Sequence, residues 1–245
     1  MLVVTIFLLA IISGALGIGV ALVAVPVLSL ALPDLVNQVH PVSLLLNGVT
    51  ALFAAIAFGR AGLIDIGLGL RLLAVATFAT PLGAMVARMI PEFIIWVLYF
   101  ASVIFLLGRL LVPIAVRPDH PSAAEFSPVL WLAFPASFLS GLIGVGPGFL
   151  LVPIMLHYGI DIRKASGLNA LAVTPASFLA TLPHLGHMLL PAGFLLPLLV
   201  AGSLGGIIGA WLASYRLSSG MLKWIFFFIV AGTAAYRALT LIVDR

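Results

Sequence analysis

The sequence predicts an all-α integral membrane protein built from two four-segment repeats, on the grounds of its composition, its long apolar runs and a repeated motif. Of the 245 residues 64% are hydrophobic and only 7% are charged, whereas soluble domains carry about 25% charged residues. The mean hydropathy of +1.34 indicates that lipid is the main solvent and excludes a water-soluble fold. A β-barrel is not expected, because barrels show alternating stretches of about 10 residues and these runs are continuous.

Eight charge-poor runs are long enough to cross a bilayer core, which needs roughly 20 apolar residues per helix. Clusters of proline and glycine between 183 and 193 divide the longest run, 165–215, into two segments. A polar stretch at 117–127 separates the first four segments from the last four. We expect the segments at about 2–32, 41–59, 67–88, 92–113, 128–158, 165–185, 191–214 and 220–241.

The two groups of segments share a motif. The pattern Ser-Gly-x-x-Gly-x-Gly begins at Ser13 and again at Ser140, and a proline follows each copy, at Pro26 and Pro153, with a constant offset of 127 residues. A motif of this length at constant spacing indicates a duplicated unit. We therefore predict a first membrane repeat at 1–116, a connecting loop at 117–127 and a second membrane repeat at 128–245.

The positions of Lys and Arg predict the orientation of the repeats, because cytoplasmic loops carry an excess of these residues. If all eight segments are simple spans, the two sides hold six and five basic residues, which is no bias. If segments 1 and 5 are hairpins that enter and leave by one side, only Arg88, Arg237 and Arg245 lie opposite the other eight. Those eight are Arg60, Arg71, Arg109, Arg117, Arg163, Lys164, Arg216 and Lys223. The hairpins make the repeats inverted and place both termini outside the cytoplasm; kinked spans with parallel repeats are the alternative.

The glycine-rich motifs predict breaks in segments 1 and 5, from Ser13 to Gly19 and from Ser140 to Gly148. A break inside a bilayer survives only where its backbone faces protein or a watery cavity. Secondary transporters use such breaks to direct backbone N–H groups at an anion. Close packing of helices through small residues is the alternative.

Uncharged polar residues on segments 2 and 6 add to the predicted site. Ser43 and Asn47 share one helix face and align with Asn169 and Thr174 in the second repeat. Since an amide is costly to bury in lipid, we expect these side chains to face a lumen or a neighbouring helix. The residues predicted to bind the substrate are Ser13, Gly14, Gly17, Gly19, Ser43, Asn47, Ser140, Gly141, Gly144, Gly146, Gly148, Asn169 and Thr174.

The histidines and the acidic residues limit the chemistry. His184 and His187 form either a proton relay or a pair that snorkels to the membrane interface, and we expect His40 in a loop or at the interface. The acidic residues all fall at segment ends or in loops, which favours an anionic substrate. No metal-ligand spacing, catalytic motif or basic cluster is present, so no metal, cofactor, enzyme activity or nucleic-acid binding is expected.

The stretches 13–26, 140–153 and 163–170 resemble the TauE/SafE sulfite exporter family, also called the 4-toluene sulfonate uptake permease family. The resemblance covers nearly the whole chain. It implies a bacterial inner-membrane carrier of sulfite, sulfonates, sulfoacetate or related small anions, coupled to an ion gradient. The glycine-rich stretch of that family reads Gly146-Pro147-Gly148 in the second repeat but Gly19-Val20-Ala21 in the first, so the binding residues carry over more firmly to 140–148.

These observations predict a secondary transporter, an exporter or permease of sulfite, organosulfonates or related small sulfur oxyanions, which works by alternating access in the bacterial inner membrane. A non-transporting membrane scaffold or assembly subunit is the alternative. The expected partners are the anion, the lipid bilayer and protons as the coupling ion. The sequence leaves open whether the chain forms a homo-oligomer.

Overall fold

The computed structural model describes residues 1–111, 126–187 and 192–243, and the regular structure within them is helical throughout. In this part of the chain five stretches are long and apolar enough to cross a membrane: Leu35–Arg60, Ile66–Ala87, Glu92–Arg109, Ile162–His184 and Gly193–Tyr215. The α-helices of the described residues are α1 (Leu2–Ala15), α2 (Ala21–Leu28), α3 (His40–Arg60), α4 (Ile66–Ala87), α5 (Glu92–Leu111), α6 (Ser127–Leu142), α7 (Gly148–His157), α8 (Ile162–Thr181), α9 (Ala192–Tyr215) and α10 (Ser219–Val243).

The prediction of an all-helical membrane protein is confirmed, and two of its helical stretches are longer than the sequence indicates. A π-helical segment, Leu35–Val39, precedes α3, and a 3₁₀ segment, Leu182–His187, follows α8. Asp34 caps the π-helical segment by accepting the Asn37 N–H. Asp65 caps α4 and Asp161 caps α8 in the same way. These carboxylates therefore begin helices, where the helix dipole favours a negative charge.

Predicted segments 1 and 5 are each divided into two helices, but the breaks are shorter than expected. The helices continue through Ala15 and Leu142, so the breaks cover only 16–20 and 143–147. Each break contains two residues in the left-handed region, which glycine adopts without steric cost. They are Gly17 and Gly19 in the first break, with φ of 62° and 78°, and Gly144 and Gly146 in the second, with φ of 72° and 70°.

A proline inside α2 explains how this short helix is attached to the rest of the fold. Pro26 has no N–H, so the carbonyl of Leu22 loses its intrahelical donor. The hydroxyl of Tyr99, on α5, donates to that carbonyl at 2.8 Å. A buried polar group is thereby satisfied across two helices, which fixes α2 against α5.

Helix α7 runs back alongside α6. A cavity of about 480 Å³ lies between them and α5, and it is lined by Leu132 from early α6 and by His157 from the end of α7. Midway along the cavity, Pro135 of α6 and Pro153 of α7 line it together. A chain that continued straight through the second break would separate Leu132 from His157 by more than about 30 Å at 1.5 Å per residue. The two helices therefore form a hairpin.

Contacts between the long helices fix their relative directions. Asn47 of α3 bonds Ser177 of α8, while Phe58 near the end of α3 lies beside Gly167 near the start of α8, so α3 and α8 are antiparallel. In contrast, α4 and α8 are parallel, because the start of α4 contacts Leu168 and Leu171 of α8 and Arg88 just after α4 bonds the carbonyl of Pro183 just after α8.

Helices α1 and α9, and likewise α4 and α6, approach closely enough for backbone contact. Gly209 of α9 packs against the carbonyl of Ile11 in α1, with no room for a Cβ between them. Gly83 of α4 packs in the same manner against the carbonyl of Phe138 in α6. Small residues allow this approach, which lets dispersion contacts hold helices together where lipid removes the hydrophobic driving force.

The contact at Gly83 generates a stability prediction. An alanine Cβ at this position would overlap the Phe138 carbonyl, whereas at Gly108 in α5 a Cβ meets nothing within 4 Å. We expect Gly83→Ala to lower the free energy of unfolding by about 1–3 kcal/mol through overpacking. Gly108→Ala is the matched control and should leave stability unchanged or slightly higher. Thermal unfolding in detergent measures both variants, and equal melting temperatures would contradict the contact.

Candidate functional site

The two breaks lie against each other between α3 and α8. Gly148, the first residue of α7, packs on the carbonyl of Ile18 in the first break. Gly17 of the first break packs on the carbonyl of Ser166 in α8. Because a side chain at either glycine would meet backbone, the glycines are required for the breaks to approach each other and α8. The ends of four helices thus meet in one buried region.

Each break is held by the long helix of the opposite half of the chain. Ser43, on α3, donates its hydroxyl to the carbonyl of Gly144 at 2.7 Å. Asn169, on α8, donates its side-chain N–H to the carbonyl of Gly17 at 2.8 Å. Gly17 and Gly144 occupy the same position of the repeated motif, so the two bonds are equivalent. The alignment of Ser43 with Asn169 in the repeated sequence agrees with this correspondence.

Asn47 lies between the two breaks. Its Oδ1 accepts the N–H of Ala21, the first residue of α2, at 3.0 Å, and its Nδ2 donates to the hydroxyl of Ser177 at 2.9 Å. A Cβ at Gly19 or at Gly146 would collide with this amide. One fully buried side chain therefore contacts both breaks, caps α2 and joins α3 to α8.

The equivalent position in the second half behaves differently. The sequence predicts that Thr174 completes the site with Asn47, but Thr174 is only half-buried and donates its hydroxyl to the carbonyl of Ala170 in its own helix. A hydroxyl near a helical carbonyl bonds locally, whereas an amide is long enough to reach another element. The residue that Asn47 does meet on α8 is Ser177, which is not among the residues predicted to bind the substrate. Its alignment with the polar Thr50 is the signal in the sequence that points to it.

Four of the predicted site residues belong to helix ends rather than to the breaks. Gly14 packs on Gly206 of α9 and Gly141 on the carbonyl of Thr80 in α4, so these glycines serve helix packing. Ser13 and Ser140 contribute their carbonyls, which accept N–H groups from the breaks at 3.2 Å and 3.1 Å. The breaks themselves contain Gly17, Gly19, Gly144 and Gly146, with Gly148 directly after the second.

The electrostatics of the region come from dipoles and uncharged groups. Helices α2 and α7 both begin here, and a helix N-terminus carries a partial positive charge that favours anions. The carboxylates among the described residues lie at helix starts, away from the breaks. Such a region suits a small anion held by N–H and hydroxyl donors.

Two histidines that the sequence predicts near the interface are buried. His40, at the start of α3, and His184, in the 3₁₀ segment, are both 0% exposed, and their ring centroids are 6.0 Å apart with the rings edge to face. The expectation of His40 in a loop or at the interface is wrong, because the helical stretch begins at Leu35 and residue 40 lies more than one turn inside it. Snorkelling of His184 is also wrong. The side chain of His187 lies outside the described residues.

Comparison with known proteins identifies what the chain is similar to. Residues 2–237 match the family described as Sulfite exporter TauE/SafE. The chain is 22% identical over 216 residues to the probable membrane transporter protein YdhB of Bacillus subtilis (strain 168), which covers 86% of this chain and 88% of that protein. It is 30% identical over 129 residues to a probable membrane transporter protein of Xylella fastidiosa (strain 9a5c), covering 49% of each. No solved structure matches the chain.

The bridge at Asn47 yields a prediction with a control built into the repeat. Asn47→Leu removes both bonds and leaves the Ala21 N–H and the Ser177 hydroxyl without their partner. We expect a loss of about 1–3 kcal/mol in the free energy of unfolding, the usual result of leaving a buried polar group unsatisfied. Thr174→Val removes only a bond within one helix and should change stability far less. Thermal unfolding that ranks Thr174→Val as the more harmful variant would contradict the bridge.

Proposed function

The chain belongs to the sulfite exporter TauE/SafE family, and from this premise we propose that it is a secondary transporter of sulfite, organosulfonates or related small sulfur oxyanions. Membership makes it a multi-pass protein of a membrane transporter family. We further propose that it lies in the bacterial inner membrane, acts as an exporter or permease by alternating access, and uses protons as the coupling ion. The observation that carries the proposal is the meeting of two helix breaks in a buried, uncharged polar region.

We propose that the anion binds where α2 and α7 begin. Backbone N–H groups at these helix starts, with the side chains of Ser43, Asn47, Asn169 and Ser177, supply donors without a full positive charge. In this structure Asn47 Oδ1 accepts the hydrogen bond from the Ala21 N–H, in the place that an oxygen of the oxyanion would take. Binding then requires the Asn47 bridge to open, and that opening separates the two halves. The site thus couples occupancy to a change of conformation.

The directions of the helices favour inverted repeats. Helices α3 and α8 are antiparallel. If α4 and α5 each cross the membrane once, α5 ends on the side where α3 ends, and α8 begins on that same side. The pair of α6 and α7 between them then starts and ends on one side of the membrane. Helix α1 is parallel to α9, because Phe7 faces Gly205 and Ile11 faces Gly209. Helix α9 follows α8 and therefore runs in the direction of α3. Helix α1, which is parallel to α9, begins on the side where α3 begins, so the pair of α1 and α2 starts and ends on that side, opposite the side of α6 and α7. We propose two inverted units, 1–116 and 128–245, as secondary transporters commonly have.

We propose that the eight basic residues of the loops lie on one side of the membrane and that this side is cytoplasmic. Both termini then lie outside the cytoplasm. Transport in either direction is compatible with this arrangement. The rival hypothesis is a non-transporting scaffold or assembly subunit, in which the glycine motifs only pack helices. Gly14 and Gly141 fit that hypothesis. The left-handed glycines of the two breaks and the Asn47 bridge do not, because a continuous helix would pack as well without them.

The first prediction from this proposal concerns flux. Purified protein in liposomes should move at least one of sulfite, sulfate, thiosulfate and short sulfonates, measured with and without a pH gradient. Gly146→Leu should abolish this flux, because residue 146 has a φ of 70° and its side chain would collide with the Asn47 amide. The variant should still insert into the membrane, since none of the long helices is changed.

Gly108→Ala, at an open position of α5, is the control for reconstitution and should transport normally. Normal flux in Gly146→Leu would overturn the placement of the site. Absence of flux for every anion in the wild-type protein would overturn transport and favour the scaffold.

The second prediction concerns topology. Alkaline phosphatase, which is active only outside the cytoplasm, should be active when fused after Arg245 and inactive when fused after Gly62 in the loop between α3 and α4. A fluorescent protein that folds only in the cytoplasm should give the reverse pattern. Active phosphatase at Gly62 combined with inactive phosphatase at Arg245 would contradict the proposed orientation, and activity at both or at neither would contradict the number of crossings.

A further inference from the structure

The buried pair of histidines lies outside the donors that we assign to the anion. His40 is the first residue of α3, and neither of its ring nitrogens has a hydrogen-bond partner within the described residues. Its ring stands edge to face with that of His184, at 6.0 Å between centroids. Buried polar groups in native proteins are nearly always bonded, so a buried imidazole without a hydrogen bond calls for a reason in function.

His40 of this pair packs against the second break. A Cβ at Gly144 would collide with the ring of His40. The hydroxyl of Ser43 is shared between the carbonyl of His40, at 2.9 Å, and the carbonyl of Gly144, at 2.7 Å. The ring and the backbone of His40 thus both lie against the break. A movement of His40 therefore displaces the break, which leads into α7.

Two charged groups lie on the elements next to the pair. From the start of the π-helical segment, Asp34 acts on His40; burial raises the pKa of Asp34, but the bonds from Asn37 and the charge of His40 outweigh this and lower it, so the carboxylate stays ionised. From the end of α4, Arg88 donates to the carbonyl of Pro183, next to His184. The second break, 143–147, contributes no titratable side chain. A carboxylate therefore acts on His40, while the Arg88 guanidinium contacts the backbone just before His184.

We propose that the His40–His184 pair binds the proton that moves with the anion, an inference that rests on the proposed transport function. Two adjacent imidazoles cannot both carry a charge at low cost, so the pair takes up one proton beyond the N–H that each neutral ring carries. A proton on His40 places a positive charge beside Gly144 and hence near the start of α7. It supplies the countercharge that the uncharged donors of the anion site lack, and proton and anion move in the same direction.

The location of the pair gives the proton a path from one side. His40 begins α3 and His184 follows α8, so the pair lies at the end of the molecule opposite the loop between α3 and α4. In the proposed orientation this is the non-cytoplasmic side. Because both rings are fully buried, the proton enters only when this end opens, which is what coupled transport requires.

The experiment compares gradient-driven accumulation with equilibrium exchange in proteoliposomes, using radiolabelled sulfite. If one proton accompanies a monovalent anion, each unit of pH gradient drives about a tenfold accumulation. We expect His40→Gln and His184→Gln to lose this accumulation almost completely. They should keep exchange of labelled for unlabelled sulfite in the absence of a gradient, at a reduced rate, because the anion then crosses without its countercharge. His157→Gln is the matched control, since His157 is exposed and lies at the other end of the molecule.

Retained gradient-driven accumulation in both variants would overturn the proposal. Equal loss of accumulation and exchange would overturn it as well, because it would show that the rings only maintain the structure. If the wild-type protein showed neither accumulation nor exchange of sulfite, transport of this anion would fail first, and the assignment of the coupling proton would fail with it.

A titration of isotope-labelled histidines by NMR tests the pair without any anion. We expect the resonances of His184 to titrate differently in His40→Gln, because the neighbouring group that competes for the proton is gone. An unchanged titration of His184 would contradict a shared proton, whatever the flux measurements show.

Discussion

A helix that ends inside a bilayer leaves backbone N–H and C=O groups that lipid cannot satisfy, and this constraint governs the centre of the protein. Two such ends are present, at 16–20 and 143–147. Their groups are satisfied partly by local turns and partly by Ser43, Asn47 and Asn169 on the long helices. The need to satisfy these backbone groups therefore accounts for several features together: the breaks, the polar residues of α3 and α8, and the close glycine contacts.

The two halves meet this requirement with different side chains. Ser43 and Asn169 make equivalent bonds to Gly144 and Gly17, but Asn47 has no equivalent, because Thr174 bonds its own helix. A single amide reaches both breaks at once, so the two halves of the chain are not equivalent at the centre. The cap of α2 therefore depends on Asn47 alone, and breaking this one hydrogen bond frees the start of α2.

Much of this could be predicted from the sequence, because lipid imposes simple rules on length and charge. The long helices, the presence of two breaks and the pairing of Ser43 with Asn169 follow from apolar runs and a constant offset. The roles of Gly14 and Gly141 could not be separated from those of Gly17 and Gly144, since glycine serves both close packing and left-handed turns and only the backbone angles distinguish them. The burial of His40 was also hidden, because a π-helical segment extends the helical stretch beyond the limit of the apolar run.

The scarcity of charge has a further consequence for the anion that we propose at this centre. Helix starts and amides attract a negative charge, but each contributes only a fraction of a unit, and the described carboxylates at helix starts lie outside the breaks. An anion held in this way retains much of its charge, and carrying that charge through lipid is costly. A neutral complex crosses more readily, so a titratable group next to the breaks is a physical advantage. The imidazole of His40 is the titratable group that the fold places there, in contact with Gly144.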